Sequence, residues 1–212
     1  MKQQELMWRI RTAILLELKQ RTGQRHAPVG ISNRHIHLSR EDLTTLFGRG
    51  YELKEKSPLS QPGQFAAEET VTLEGAKGKL AKVRVLGPVR PETQVEISIT
   101  DSFVLGVKPD VRMSGDLKGT PGIRIVGPAG SVELTSGVMV AARHLHISAQ
   151  EAEEYGLKNG DTIKLRSKGA RRTVFENVLV RSGDGHELEV HLDVDEANAA
   201  QLKNGDLLEI VS

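Results

Sequence analysis

The sequence predicts a mainly β protein built from two related small barrels joined to short helices. Three observations lead to this prediction: a His-x-His motif that occurs twice, a two-residue alternation of apolar side chains from Val29 onward, and a helix–turn–strand pattern repeated in the C-terminal third. The 21 glycines, 8 prolines and only 3% aromatic residues are typical of many short strands joined by tight turns. Without long central helices, a doubly wound α/β sheet is disfavoured.

The N-terminal stretch carries the one long helical pattern of the chain. Its apolar stripe consists of Met7, Ile10, Ile14 and Leu18. A polar stretch at 23–28, predicted to be a flexible linker, separates it from the first strand. Two interpretations are open. The helix docks on its own domain, or it is a tag that docks on another protein and is dispensable for chemistry.

The motif on which the prediction of function depends is a repeated hexapeptide. Residues 34–39 read Arg-His-Ile-His-Leu-Ser, and residues 143–148 read Arg-His-Leu-His-Ile-Ser. In a strand, side chains two apart share a face, so each copy presents two imidazoles side by side while Ile36 or Leu145 points into a core. Imidazole is the commonest metal ligand in proteins and suits zinc and its first-row neighbours. Two copies in one local frame therefore predict metal binding.

A second repeat lies in the C-terminal third. Residues 157–165 and 202–210 both begin Leu-Lys-Asn-Gly-Asp and continue with alternating apolar residues. Each copy indicates the end of a short helix, a turn at Asn-Gly and a strand. Such units are typical of small closed barrels, so the simplest architecture has two barrels with one His-x-His each.

Composition limits the chemistry. With a net charge of +1, the chain of 212 residues shows no bulk electrostatic preference for nucleic acid or membranes. The absence of cysteine excludes disulfides, thiolate zinc sites and a cysteine nucleophile, which leaves His, Asp and Glu as metal ligands. No apolar run is long enough for a transmembrane helix, and no secretory signal is predicted, so we expect a cytoplasmic protein.

Three further histidines and one arginine need an interpretation. We expect His26, in the polar linker, and His186, in a glycine-rich turn, to be only solvated. His191 lies in an alternating strand and could be a third ligand for one pair. Arg90 follows Gly-Pro-Val and precedes proline, so it is either a solvated turn residue or a fixed guanidinium that holds phosphate.

Several segments resemble the phosphate propanoyltransferase family, the phosphotransacylases of propanediol-utilising bacterial microcompartments. They are residues 34–38, 59–66, 86–90, 114–116, 143–146 and 195–199. The resemblance runs in the same order from about Ala27 to the C-terminus.

The resemblance implies two interleaved β-barrels with short capping helices and a homodimer. Residues 24–33 and 142–212 would form one barrel, and residues 34–141 the other, with 48–68 protruding to the dimer partner. Residues 1–22, predicted from their apolar pattern to form an amphipathic helix, precede the part of the chain that the resemblance covers, and in some family members such a helix directs the enzyme to the microcompartment lumen.

The resemblance also implies a set of site residues. One zinc ion would be held by His35, His37 and Glu96, and a second by His144, His146 and His191. The catalytic residues would be Arg90, Gln64 and Ser114. Coenzyme A (CoA) would be bound by Ser32, Arg84, Leu86, His191 and Asn198.

The reaction implied is acyl-CoA, here propanoyl-CoA, plus phosphate giving acyl phosphate plus CoA, with two zinc ions facing a shared cleft and no covalent acyl-enzyme. The alternatives are a zinc-dependent thioester hydrolase and a non-catalytic microcompartment-associated protein. The expected partners are acyl-CoA, phosphate, a second copy of the chain and microcompartment shell or lumen proteins, with no nucleic acid and no membrane.

Overall fold

The computed structural model describes residues 2–211, and within the first helix it does not describe the side chains of residues 2–5 and 7–9. In chain order the helices are α1 (Lys2–Thr22), α2 (Arg40–Phe47), α3 (Ile99–Leu105), α4 (Ala149–Tyr155) and α5 (Val194–Ala199). The strands are β1 (Arg25–Ser32), β2 (His35–His37), β3 (Glu55–Pro58), β4 (Phe65–Glu74), β5 (Lys79–Gly87), β6 (Gln94–Glu96), β7 (Val111–Arg112), β8 (Ile123–Val126), β9 (Ser131–Leu134), β10 (Val138–Ala141), β11 (His144–Ile147), β12 (Thr162–Arg166), β13 (Val174–Ser182), β14 (Glu189–Asp193) and β15 (Leu207–Val211). The predicted mainly β fold is confirmed.

The first of two compact units contains the chain up to Ser32 and from Arg143 onward. Its strands form a closed barrel in the order β1-β14-β11-β13-β12-β15. Strand β1 closes the ring by pairing antiparallel with β15 over Arg25–Pro28 and parallel with β14 over Val29–Ser32. The predicted alternation is clear in β12, where buried Ile163 and Leu165 lie between exposed neighbours.

The second unit contains residues 33–142. Its sheet follows the order β7-β10-β6-β2-β5-β4-β8-β9, with β3 paired to the side of β4. Unlike the first unit's sheet, this sheet is not closed into a ring. Its strand order ends at β9, which pairs with β8, and at β7, which pairs with β10. This unit is therefore a half-barrel around its own apolar core.

At two places, consecutive strands of the chain belong to different units. Strands β1 and β2 follow each other closely in the chain, yet β1 belongs to the first unit and β2 to the second. Strands β10 and β11 are also consecutive, and β10 belongs to the second unit whereas β11 belongs to the first. The interleaving implied by the family resemblance is thus confirmed.

Both hexapeptides end in a helix cap. The hydroxyl of Ser39 accepts a hydrogen bond from Asp42 N at 3.1 Å, and that of Ser148 accepts one from Glu151 N at 3.2 Å. Each cap satisfies a backbone N–H that the first turn of a helix leaves without a partner. The same six residues therefore end a strand and start a helix, α2 or α4.

Helix α1 docks on the first unit, but only through part of the predicted stripe. Leu15 is buried in the core of that unit, and Leu18 packs against it, whereas Ile10 and Ile14 are exposed. Met7 lies outside the residues whose side chains are described. The predicted stripe is therefore wrong for Ile10 and Ile14, because the barrel that α1 contacts comes mostly from residues far away in sequence, which apolar spacing within the helix does not reveal. Within residues 2–211, no helix combines the length and apolar content that crossing a membrane requires.

The predicted linker is a strand in the structure. The expected linker at 23–28 is largely the start of β1, so His26 is buried in the barrel wall rather than solvated. Its polar sequence did not predict a strand, because its pairing partner β15 lies at the other end of the chain. Within 48–68, β3 pairs antiparallel with β4, from Glu55 opposite Ala67 to Pro58 opposite Phe65. Its role in a dimer stays a prediction.

Candidate metal centres

The first centre comprises His35, His37 and Glu96, whose ligating atoms all lie within 4.8 Å of one another. Strands β2 and β6 pair antiparallel with His35 directly opposite Glu96. The ring centroids of the two histidines are 5.1 Å apart, and His35 Nε2 lies 3.4 Å from Glu96 Oε2. Ile36, on the opposite face of β2, is fully buried in the core, as predicted.

Local hydrogen bonds orient these ligands. The ring nitrogen Nδ1 of His35 lies 2.8 Å from the carbonyl of Asn33, which directs Nε2 toward Glu96. The buried Nδ1 of His37 has no hydrogen-bond partner. A buried ring nitrogen without a partner is costly in a folded protein unless it binds something else, so this donor set fits a metal ion.

Burial and neighbouring charges set the protonation of the first centre. Burial alone would lower the pKa of His35, but the carboxylate of Glu96 raises the pKa of His35 above its ordinary value. Burial opposes ionisation of Glu96, yet His35 holds the pKa of Glu96 well below its usual range. Burial, followed by charge on His35, lowers the pKa of His37 to about 3. At neutral pH, His37 is therefore a neutral imidazole and Glu96 is a carboxylate.

The second centre comprises His144, His146 and His191, again with ligating atoms within 4.8 Å. Strands β11 and β14 pair antiparallel with His144 opposite His191. The Nε2 atoms of His144 and His146 are 3.0 Å apart, and the ring centroid of His191 lies 5.0 Å from that of His144 and 4.7 Å from that of His146. Burial, followed by charge on His144 and His191, holds the pKa of His146 well below its ordinary value. Three imidazoles converge here, a donor set suited to zinc.

Sequence reasoning missed two residues beside the second centre. His186 Nδ1 lies 3.1 Å from Nδ1 of His146, so the prediction that His186 is only solvated is wrong. The turn at Gly183 carries His186 back to β11, a contact that spacing along the chain does not indicate. Glu189 is buried, and its Oε2 lies 2.9 Å from His191 Nε2. The sequence did contain an indication of this contact, because Glu189 and His191 are two residues apart in one strand and therefore share a face.

Arg90 and Ser114 lie beside the first centre. Arg90 Nη1 donates to Ser114 Oγ at 3.1 Å, and that hydroxyl donates to Glu96 Oε1 at 3.3 Å. Gln94 Nε2 donates to Ser114 Oγ at 2.9 Å and to Glu96 Oε1 at 2.5 Å, while Gln94 Oε1 accepts from Gly115 N at 2.8 Å. A guanidinium is thereby connected through one hydroxyl to the carboxylate of Glu96, a candidate metal ligand.

The other predicted site residues are distributed over both units. Arg84 lies opposite His35 in the pairing of β5 with β2, and its guanidinium donates to the carbonyls of Ala67 and Glu68 at 2.9 and 2.8 Å. Leu86 is half-buried in β5.

Of the remaining three, Ser32 ends β1 opposite Asp193, and Asn198 is exposed on α5. The main chain of Gln64 bonds with Leu59 and Gln61 in the turn before β4. The roles of all five of these residues stay predictions.

Comparison with known proteins agrees with the sequence motifs. A profile of the phosphate propanoyltransferase family matches residues 28–203. The phosphate propanoyltransferase of Thermotoga maritima is 59% identical over 184 residues, which cover 86% of this chain and 88% of that protein. The Rhodopseudomonas palustris enzyme of the same name is 56% identical over 182 residues, covering 86% and 80%. For that of Shewanella putrefaciens the identity is 45% over 202 residues, covering 95% and 93%. The chain therefore belongs to the phosphate propanoyltransferase family.

Proposed function

We propose that this protein transfers an acyl group, the propanoyl group by preference, reversibly between CoA and phosphate. The thioester C–S bond breaks, a C–O bond to a phosphate oxygen forms, and CoA leaves as the thiolate. The names of the relatives support this reaction. The structural observation that carries it is the pair of three-ligand centres, one of which is connected to Arg90 through Ser114.

The proposal includes two zinc ions, one held by His35, His37 and Glu96 and the other by His144, His146 and His191. Three protein ligands leave a coordination position open, which is the arrangement of catalytic rather than structural zinc. When bound, such an ion polarises a carbonyl or phosphoryl oxygen and stabilises a thiolate. That both centres face one cleft stays a prediction from the sequence.

Arg90 is proposed to bind the attacking phosphate. Its planar guanidinium matches the geometry of phosphate oxygens, and Ser114 fixes the direction of one of its N–H groups. A backbone bond from Arg90 N to Leu38 O, at 2.9 Å, ties the residue to the end of β2. Held in this way, Arg90 would align phosphate with the thioester carbonyl and offset negative charge in the tetrahedral intermediate.

We propose a direct transfer without an acyl-enzyme. The chain has no cysteine. The hydroxyl of Ser114, beside the first centre, accepts hydrogen bonds from Arg90 and Gln94 and donates one to Glu96. This arrangement favours a role in positioning over one as nucleophile. We further propose that Ser32, Arg84, Leu86, His191 and Asn198 bind CoA and that Gln64 contacts the substrates.

A phosphate-dependence assay tests the function. Zinc-loaded full-length protein is incubated with propanoyl-CoA, with and without phosphate, while free CoA thiol and acyl phosphate (trapped as the hydroxamate) are measured together. We expect equal amounts of both products, and only when phosphate is present. Release of CoA without phosphate, with propanoate as product, would instead identify a zinc-dependent thioester hydrolase. No thioester cleavage under any condition would identify a non-catalytic protein.

We also propose a homodimer in the cytoplasm, inside a bacterial microcompartment where one is present. The exposed side chains of Leu6, Ile10 and Ile14 on α1 support contact with a shell or lumen protein. A fusion of residues 1–22 to a fluorescent protein should co-localise with microcompartments, and replacing Ile10 and Ile14 by Ser should abolish this. Unchanged co-localisation of the double variant would contradict the assignment.

A further inference from the structure

Helix α1 makes polar contacts with the strand that carries a ligand of the second centre. Arg11 Nη2 donates to the carbonyl of Leu188 at 3.0 Å, and Arg11 Nη1 lies 3.9 Å from Glu189 Oε1. Leu15, buried in the barrel core, and a hydrogen bond of 3.2 Å from Thr12 Oγ1 to Glu151 Oε1 fix the helix in this position. The guanidinium is therefore held at the start of β14.

Glu189 links this arginine to the metal centre. One carboxylate oxygen, Oε1, faces Arg11, and the other, Oε2, lies 2.9 Å from His191 Nε2. Gly30, opposite His191 in the pairing of β1 with β14, leaves the space that the carboxylate occupies. A Cβ at that position would lie 2.7 Å from both Cδ and Oε2 of Glu189 and 3.0 Å from Cδ2 of His191. The barrel wall thus contains a fitted place for this carboxylate.

A buried carboxylate needs a cation or several donors, because its charge is otherwise poorly solvated. At the corresponding position of the first centre, Gln94 is neutral, and Gly115 and Ser114 satisfy it from within its own unit. Glu189 is instead a carboxylate, and Arg11 of α1 is a cation that faces it. A ligating histidine that donates a hydrogen bond to a carboxylate has its ring orientation fixed and is a stronger ligand.

We propose that Arg11 is a positioning residue of the second centre, which acts through Glu189 to orient His191. Helix α1 is then a structural part of that centre as well as the carrier of an exposed apolar face. The inference rests on the proposed function only in taking the second centre to bind a metal ion. It does not depend on which reaction the protein performs.

The test measures zinc release from full-length, zinc-loaded protein to a chromophoric chelator. Glu189→Gln should accelerate release from one of the two ions by roughly 10–100-fold, the usual effect of losing a carboxylate that supports a histidine ligand. Arg11→Ala should accelerate release of the same ion by about tenfold, at the lower end of that range. Arg11→Lys, which keeps the positive charge, should accelerate zinc release less than Arg11→Ala does. Arg21→Ala is the matched control, since Arg21 lies on the same helix, is exposed and pairs with Glu17 one turn away.

A double variant separates positioning from a general loss of stability. If Arg11 acts through Glu189, the Arg11→Ala/Glu189→Gln protein should release zinc no faster than Glu189→Gln alone. Fully additive effects, equal acceleration of both ions, or wild-type release in Arg11→Ala would each overturn the proposal. A protein that binds two ions with this coupling but cleaves thioesters without phosphate would refute the proposed function and leave the role of Arg11 intact.

Discussion

The two candidate metal centres have the same backbone plan and a different distribution of charge. In each, a His-x-His strand pairs antiparallel with a second strand that places the third ligand opposite the first histidine, Glu96 opposite His35 and His191 opposite His144. Gln94 in the first centre and Glu189 in the second lie on that second strand, two positions before the third residue of each set. Each of them lies opposite the second histidine. The carboxylate would thus be a direct ligand in the first centre and would support a ligand in the second.

This exchange has a consequence for a bound divalent ion. In the first centre, the carboxylate of Glu96 would neutralise part of the charge of the ion. In the second centre, three neutral imidazoles would leave that charge intact. The second centre should therefore favour an anionic fourth ligand more strongly. The supporting residues differ accordingly, because the neutral Gln94 is satisfied by Ser114 and Gly115 and the charged Glu189 faces Arg11.

The arginine that opens each hexapeptide has the same structural role in both units. Arg34 forms an ion pair with Asp101 at 2.6 Å, and Arg143 forms one with Glu196 at 2.7 Å. Both acidic residues belong to capping boxes, those of α3 and α5, which follow the strand with the third ligand. Each arginine therefore ties the His-x-His strand to the helix beyond its partner, so the whole motif, and not only its histidines, serves the geometry of the centre.

The largest expected effect comes from removing the direct carboxylate ligand. Glu96→Gln keeps the shape of the side chain but loses its charge, so the metal content after dialysis should fall from two ions per chain to one. Elemental analysis measures this. Glu92→Gln is the matched control, because Glu92 is an exposed carboxylate on the same segment. If Glu96→Gln retains two ions with wild-type affinity, the first centre does not use Glu96 and the comparison fails.

Arg90 should matter for turnover and not for metal content. Arg90→Ala should lower kcat on the order of 10²–10³, the usual effect of losing one electrostatic donor to a transition state. Arg90→Lys should recover part of this, since lysine restores the charge without the planar fork. Arg40→Ala, at an exposed arginine paired with Glu52, serves as the control. Unchanged phosphate dependence in Arg90→Ala would remove Arg90 from the mechanism.

Docking of α1 adds a helix to the core of the first unit's barrel. Leu15→Ala should lower the free energy of unfolding by about 2–5 kcal/mol, because it leaves a cavity in the barrel core. The neighbouring Ile14 has 55% of its surface exposed, so Ile14→Ala should have little effect. Urea denaturation measures both. Equal, small effects would show that α1 is not part of the fold and would restore the interpretation as a detachable tag.

The smallest effect is the pH dependence of the metal-free protein. Because the folded state lowers the pKa of His146, the unfolded chain binds a proton below about pH 6.5 that the folded chain does not. The stability from this group is complete above that pH and is lost as the pH falls, with a limiting slope of about 1.4 kcal/mol per pH unit. His146→Gln should reduce the slope measured by urea denaturation between pH 7 and 5. An unchanged slope would contradict the assignment.

The sequence alone was sufficient for the features that local periodicity encodes. The alternation around each His-x-His motif predicted both imidazole pairs and the buried Ile36 and Leu145, which are both fully buried. The caps at Ser39 and Ser148 likewise depend on backbone N–H groups only three residues away. These features depend on neighbours within a few residues, so they can be inferred from the chain itself.

Only the tertiary structure decided which distant residues meet. Strand register places Glu189 opposite His146, the turn at Gly183 returns His186 to β11, and β1 pairs with a strand nearly the whole chain away. The docked face of α1 was likewise set by the barrel, which buries Leu15 and leaves Ile10 and Ile14 exposed. The physical reason is common to all of these: a side chain's face follows from local geometry, whereas its partner depends on how segments far apart in sequence pack together.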